Sequence, residues 1–268
     1  MKDYKKYTAI MGASSGIGYA AAKAFAKRGK NLIIVARRED ELEKLKEEVF
    51  KFNPILEVIT KVCDLSLLPS VYQLYDELKD YCIETWINNA GFGNYSSVAE
   101  QDLKKIETML RLNVEALTIL SSLYVRDYKD IEGTQLINIS SRGGYIIVSN
   151  AVTYCAAKFY VSVFTEGLAY ELKEVQAKLQ AKVLAPAATQ TEFGRIANNV
   201  TDYDYDKYFS NYHTSTQVAD FLLQLYDSDK TIGAIDGETF AFSLKNSVFE
   251  YTGNSTHNQK TINDISKP

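Results

Sequence analysis

The chain predicts a single α/β domain: a doubly wound parallel sheet of about seven strands, with helices on both faces. Three observations support this. Short apolar, β-branched runs alternate with amphipathic stretches along most of the 268 residues. A glycine-rich turn, "GASSGIG", directly follows the first such run. No linker or internal repeat divides the chain.

Taken in order, the strand-like runs are residues 8–11, 31–36, 56–62, 85–88, 134–140, 181–185 and 238–242. Helical stretches fall between them at about 16–28, 39–50, 66–81, 102–128, 154–178 and 216–226. Residues 39–50 show the pattern well: Leu42, Leu45 and Val49 form one stripe, while Glu41, Glu43, Lys44 and Lys46 lie elsewhere, as in a helix resting on a sheet. Residues 187–213 break the alternation. Within them residues 194–213 are rich in Tyr and Asp and lack a period, and the whole segment is expected to form a substrate loop within a domain spanning residues 1–250. Residues 251–268 read as a polar C-terminal tail.

Composition narrows the function classes. With 46% hydrophobic and 24% charged residues the chain is ordinary globular protein. No stretch reaches the ~20 apolar residues of a membrane span, and "MKDYKKYTAIMG" has no apolar signal region, so a soluble, cytoplasmic protein without membrane contact is expected. Cys63, Cys82 and Cys155 are odd in number and scattered, as suits reduced thiols. A net charge of -4 argues against nucleic acid as a partner. His213 and His257 are the only histidines, and no metal-ligand spacing is present, so no metal site is expected.

Gly12, Gly16 and Gly18, with Ser14, Ser15 and Ile17 among them, lie between the first strand and the first helix. Glycine there permits a tight turn, and the helix N-terminus offers free amides to a phosphate. The spacing is GxxxGxG, and the following "YAAAKAFA" is small enough to pack closely on a sheet. Together these point to a Rossmann-type dinucleotide site. The second strand ends in Ala36, Arg37 and Arg38 rather than an acidic residue. Guanidinium groups would pair with a 2'-phosphate, so NADP(H) is favoured over NAD(H), the other reading being that both arginines open a solvated helix. Glu39 and Asp40 follow in the first helical turn, where they suit the helix dipole.

Further motifs appear in a fixed order: "DL" at 64–65, "NNAG" at 88–91, Asn113 in "LNVEAL", "NISS" at 138–141 and "YCAAK" at 154–158. With the glycine loop, and with Ser141 thirteen residues before Tyr154, the chain resembles the classical short-chain dehydrogenase/reductase family over about residues 7–242. The resemblance implies that Asp64 and Leu65 border the adenine, and that Asn88, Asn89, Ala90 and Gly91 brace the sheet and line the cofactor. "LAPAATQTEF" is similar to the family's PGxxxT segment. Pro186, Thr189 and Thr191 would then border the nicotinamide, with Ala187 in place of the usual glycine. Met11 stands where the family usually has threonine.

Hydride transfer to a carbonyl leaves charge on its oxygen, which requires a proton donor and a polarising hydrogen bond. Tyrosine has a pKa of about 10, and a neighbouring ammonium would lower it. Tyr154 and Lys158 are four residues apart and share a helix face. The resemblance assigns Tyr154 as general acid or base, Ser141 as the group orienting the carbonyl, and Lys158 as tuning the tyrosine and binding ribose. Asn113 completes the set by supporting a proton-conducting water. It sits on the apolar row Ile106, Leu110, Val114 and Leu117, where a polar side chain needs a partner.

Cys155 and Trp86 read as packing residues. Tyr203, Tyr205, Tyr208 and Tyr212 either wall a pocket or face solvent, and Arg142 meets either an anionic substrate or solvent. The apolar stripe Val161, Phe164, Leu168 and Leu172 faces either a second subunit, in the homodimer or homotetramer common in the family, or this subunit's own sheet. The expected activity is NADPH-dependent reduction of a ketone, aldehyde or 3-oxoacyl group. The alternatives are an NAD-linked alcohol or sugar dehydrogenase, or a nonenzymatic dinucleotide sensor.

Overall fold

The computed structural model describes residues 5–252, so the expected polar tail lies outside the described residues apart from Tyr251 and Thr252. Six parallel strands form the frame: β1 (Lys6–Met11), β2 (Asn31–Ala36), β3 (Val58–Val62), β4 (Cys82–Asn88), β5 (Gln135–Ile139) and β6 (Gln180–Ala185). Two short strands, β7 (Thr189–Gln190) and β8 (His213–Thr214), pair with each other alone. β9 (Ile232–Ile235) extends the main sheet in parallel and β10 (Phe242–Lys245) closes it antiparallel. The order is β10-β9-β6-β5-β4-β1-β2-β3. Successive strands grow one way from β1 to β3 and the other way from β4 outward. The β1/β4 boundary is therefore the topological switch point, where open α/β sheets bind ligands beyond the strands' carboxyl ends.

Side chains alternate across the pleat, which divides the core in two. On one face, Ile10, Ile34 and Ile87 meet α1 (Gly16–Lys27), α2 (Glu39–Phe52) and α9 (Ser215–Asp227). On the other, Ala9, Val35 and Trp86 meet α3 (Leu68–Leu78), α5 (Leu117–Tyr128) and the long α6 (Val152–Glu174). Trp86 is fully buried, as expected. A polar belt ties the second face to the sheet. Trp86 Nε1 donates to Asn88 Oδ1 (2.8 Å), Asn88 Nδ2 to Ser121 (3.0 Å) and Asn138 (2.9 Å), and Asn138 Nδ2 to Thr165 (2.9 Å). Buried amides are tolerable only when paired in this way, so the belt sets where α5 and α6 sit.

Three expectations need correction. The sheet has eight strands, and residues 238–242 are mostly the turn between β9 and β10. Asp236 Oδ1 accepts from the N–H of Glu238 (3.1 Å) and Thr239 (2.9 Å), and Phe240 takes φ 59°. The true strand, "IGAI", is short and half Gly and Ala, so it gives little β signal. The helix expected over 102–128 is α4 (Leu103–Leu110), a π-helical turn (Arg111–Ala116) and α5. The loop at 187–213 contains β7, α7 (Phe193–Asn198), α8 (Tyr205–Tyr208) and β8, with β7 and β8 pinning its base.

The stripe on α6 largely faces its own subunit. Val161 and Leu172 are buried and Leu168 packs on the core, whereas Tyr160 and Val163 are exposed. Among the described residues no helix is long and apolar enough to cross a membrane.

Candidate active site

A cleft of about 820 Å³ opens at the carboxyl ends of the parallel strands. Every candidate cofactor or catalytic residue lines it except Gly18, Asn88 and Asn113. Gly12 and Gly16 have φ of 83° and 57°, the left-handed region that glycine tolerates. The Gly12 N–H donates to the Val35 carbonyl (2.7 Å), and Asn89 Nδ2 donates to the Gly12 carbonyl (2.8 Å). Asn89 therefore braces the loop from behind. Gly18 is needed for space: a Cβ there would lie 2.5 Å from Asn89 Nδ2 and closer still to the Gly12 carbonyl oxygen. Asp64 Oδ1 accepts from the Ser66 N–H (3.0 Å) and hydroxyl (2.7 Å), which shapes the turn after β3. A backbone cradle at the start of α1, free of Cβ atoms at Gly12 and Gly16, fits the diphosphate of a dinucleotide. Ala187 is not among the positive-φ residues, so alanine is accommodated where glycine was expected.

Arg38 is engaged within the protein. Its guanidinium forms a two-pronged ion pair with Glu192 (2.7 and 3.2 Å) and donates to Ser14 Oγ (3.2 Å), joining the glycine loop to the segment before α7. Arg38 holds the Glu192 carboxyl down at about 2. Arg37 lines the cleft and has no ion pair among the described residues.

The other end of the cleft holds Ser141, Tyr154 and Lys158. Ser141 follows β5 and accepts from the Gly143 N–H (3.1 Å). Ser140 donates to the Lys158 carbonyl (2.9 Å) and bonds Ser162 (2.8 Å), clamping this turn onto α6. Lys158 Nζ donates to the Ile139 carbonyl (2.9 Å) and lies 5.9 Å from the centre of the Tyr154 ring. Asn113 sits behind the wall. Its amide donates to the Phe92 carbonyl (2.8 Å) and accepts the Phe92 N–H (3.1 Å). A Cβ on Gly91 would lie 2.9 Å from Asn113 Oδ1 and 3.6 Å from Lys158 Nζ, so the three converge. The π-helical turn carries Asn113, a feature common where a helix is bent to serve a site.

Burial holds the Tyr154 hydroxyl well above its ordinary pKa, and Tyr95 adds to this; a hydrogen bond with Ser141 acts the other way. Lys158, whose ammonium donates to the Ile139 carbonyl, contributes no lowering here. Burial pushes Lys158 itself down to about 8. Below that pH the folded protein holds a buried ammonium. Between about 8 and 10.5 the unfolded chain binds a proton that the folded chain does not, so this lysine's contribution to stability rises with pH. Lys158→Met is therefore expected to gain stability relative to wild type as pH falls from 10 to 7, the difference between the two proteins changing by up to about 3 kcal/mol. A denaturation series in which that difference does not change with pH refutes it.

Aromatic rings wall this end. Tyr95 and Phe193 lie 6.2 and 5.4 Å from the Tyr154 ring. Tyr203 and Tyr205 also line the cleft, while Tyr208 is exposed and Tyr212 bonds Asp206 (2.7 Å), so the four tyrosines divide between pocket and surface. Phe193 fits only because residue 93 is glycine: a Cβ there would come within 2.6 Å of its ring. Tyr95, Phe193 and Glu192 are not named by any motif in the sequence, although Glu192 and Phe193 fall within the expected substrate loop 187–213. Cys155 is buried behind Gly143, as a packing residue.

The sequence profile of the short chain dehydrogenases matches residues 6–200. The chain belongs to the short-chain dehydrogenase/reductase family. It is 30% identical over 190 residues to dehydrogenase/reductase SDR family member 11 of Gallus gallus, covering 69% of this chain and 74% of the relative. It is 32% identical over 171 residues to 7beta-hydroxysteroid dehydrogenase of Clostridium sardiniense, covering 63% and 64%. Among solved structures, a short-chain dehydrogenase from Sphingobium yanoikuyae in complex with NADPH superposes with a TM-score of 0.78 at 27% identity, covering 85% of this chain and 87% of that one. Short-chain dehydrogenases are oxidoreductases, and the site described above lies where a nicotinamide dinucleotide would extend along the cleft.

Proposed function

We propose that this short-chain dehydrogenase is an NADP(H)-dependent oxidoreductase that interconverts a carbonyl compound and its alcohol. The observation that carries this reading is the convergence of Ser141, Tyr154 and Lys158 at one end of a cleft whose other end is the glycine loop and Arg37. NADPH, when bound, supplies the hydride. Ser141 and Tyr154 then share the carbonyl oxygen by hydrogen bonding, and the buried phenol gives up its proton as charge develops there. A phenol is protonated at neutral pH, the state reduction needs, and burial reinforces this. Lys158 sits one helical turn away, positioned to bind the ribose, and Asn113 fixes the backbone at Phe92 beside it. The aromatic wall favours a ketone or aldehyde with an apolar flank.

One observation favours a second reading, an NAD-linked alcohol dehydrogenase: Glu192 already occupies Arg38, leaving Arg37 alone to hold a 2'-phosphate. Titrating NADPH and NADH against a panel of carbonyl compounds separates the two. We expect kcat/KM to favour NADPH and Arg37→Ala to erase most of that preference. Equal or better turnover with NADH would overturn the assignment of Arg37.

A further inference from the structure

Next to Ser141 the cleft holds a cation that the proposed chemistry does not use. Arg142 lines the cleft from the short turn Arg142–Gly144. Its mounting is rigid. The Arg142 N–H donates to the Pro186 carbonyl (2.8 Å), and its own carbonyl accepts from Tyr145 (3.0 Å) and Ile146 (3.2 Å). The guanidinium packs against Gly237 in the β9–β10 turn, where any Cβ would overlap its Nη2 and Cζ atoms. That glycine thus makes room for the arginine head.

No carboxylate lies within ion-pair distance of Arg142 among the described residues, and its side chain makes no hydrogen bond there. Asp236, beside Gly237 in the chain, turns its Oδ1 to the Glu238 and Thr239 amides instead. The acids that line the cleft, Asp64 and Glu192, belong to the glycine-loop half, and Glu192 is shared between Arg38 and Arg195. Ile146, whose N–H bonds the Arg142 carbonyl, and Phe240, in the same turn as Gly237, line the cleft with apolar side chains. A half-buried guanidinium with unpaired donors beside apolar side chains is an anion receptor, and its planar fork matches a carboxylate.

We infer that the substrate is an oxo acid, or the matching hydroxy acid, whose carboxylate binds Arg142 while its apolar body rests on the aromatic wall. The inference rests on the carbonyl-reductase reading of the cleft and adds the charge of the substrate. Arg142 lies one residue from Ser141, so the carboxylate would sit within one arginine side chain's reach of the carbonyl that Ser141 orients.

The test compares 4-oxo-4-phenylbutanoate with its methyl ester, using NADPH and the wild-type, Arg142→Met and Arg142→Lys proteins. Wild type is expected to prefer the acid. Arg142→Met should lose about 10–100-fold in kcat/KM on the acid, mostly through KM, while staying within about threefold on the ester. Retained ester turnover shows that the variant is folded, and Arg142→Lys should recover part of the loss. Equal losses on acid and ester, or a wild-type preference for the ester, would overturn the inference. A second arm needs no turnover: calorimetric binding of 4-phenylbutanoate and its amide to the NADP-loaded protein. Acid binding that depends on Arg142 in a protein inactive on both esters and acids supports the receptor and sinks the reductase reading. An active protein that binds acid and amide alike sinks the receptor alone.

Discussion

Tyr154→Phe is expected to lower kcat/KM for carbonyl reduction by about 10²–10⁴-fold, the usual contribution of a positioned general acid. Melting temperature and NADPH affinity should change little. The phenylalanine ring keeps the edge contact with Tyr95 and the tilted contact with Phe193, so the packing of the wall survives. Only the hydroxyl goes, and with it the proton that the developing alkoxide needs. Ser141→Ala should cost less, since it removes a polarising contact and leaves the proton in place. Steady-state kinetics beside a coenzyme titration separates loss of chemistry from loss of binding. Activity that survives Tyr154→Phe means that another group delivers the proton.

The pairing of Tyr154 with Lys158 was legible because a helix puts i and i+4 on one face. The glycine loop was legible because its residues sit at a strand-to-helix junction, where their conformational freedom has a use. The π-helical turn around Asn113 was not. Ile106, Leu110, Val114 and Leu117 keep an apolar spacing through it, and the extra residue in the turn leaves no mark in composition. The last strand was misplaced because "ETFAF" looks more extended than "IGAI", although a carboxylate at Asp236 folds the former into a turn. Long-range pairs were out of reach for a different reason. Arg38 and Glu192 are 154 residues apart, and nothing local in either segment names its partner. The buried Glu166, which accepts from Tyr145 (2.7 Å) and the Val248 N–H (2.7 Å), likewise reads in sequence as one more charge on α6. Elements and local motifs follow from periodicity, whereas the contacts that close the cleft follow only from topology.

Gly18→Ala should damage coenzyme binding more than its single methyl suggests. Gly18 lies in α1 without a positive φ, so backbone strain is not the issue. Space is. The added Cβ would overlap the Gly12 carbonyl oxygen and press within 2.5 Å of Asn89 Nδ2, and neither can retreat. Gly12 is fixed by its N–H bond to Val35, and Asn89 by its donations to the Gly12 (2.8 Å) and Met11 (3.3 Å) carbonyls. The loop must therefore leave the position in which its amides face the cleft. Overpacking of this kind costs about 1–3 kcal/mol of stability, and a displaced cradle should weaken NADPH binding at least about tenfold. Gly29→Ala is the matched control. Gly29 has φ 78° and nothing within 4 Å, so alanine there brings strain of about 1 kcal/mol without touching the loop. Thermal melts and NADPH fluorescence titrations on both variants decide the matter: if Gly18→Ala binds NADPH as tightly as Gly29→Ala does, the loop is not the phosphate cradle.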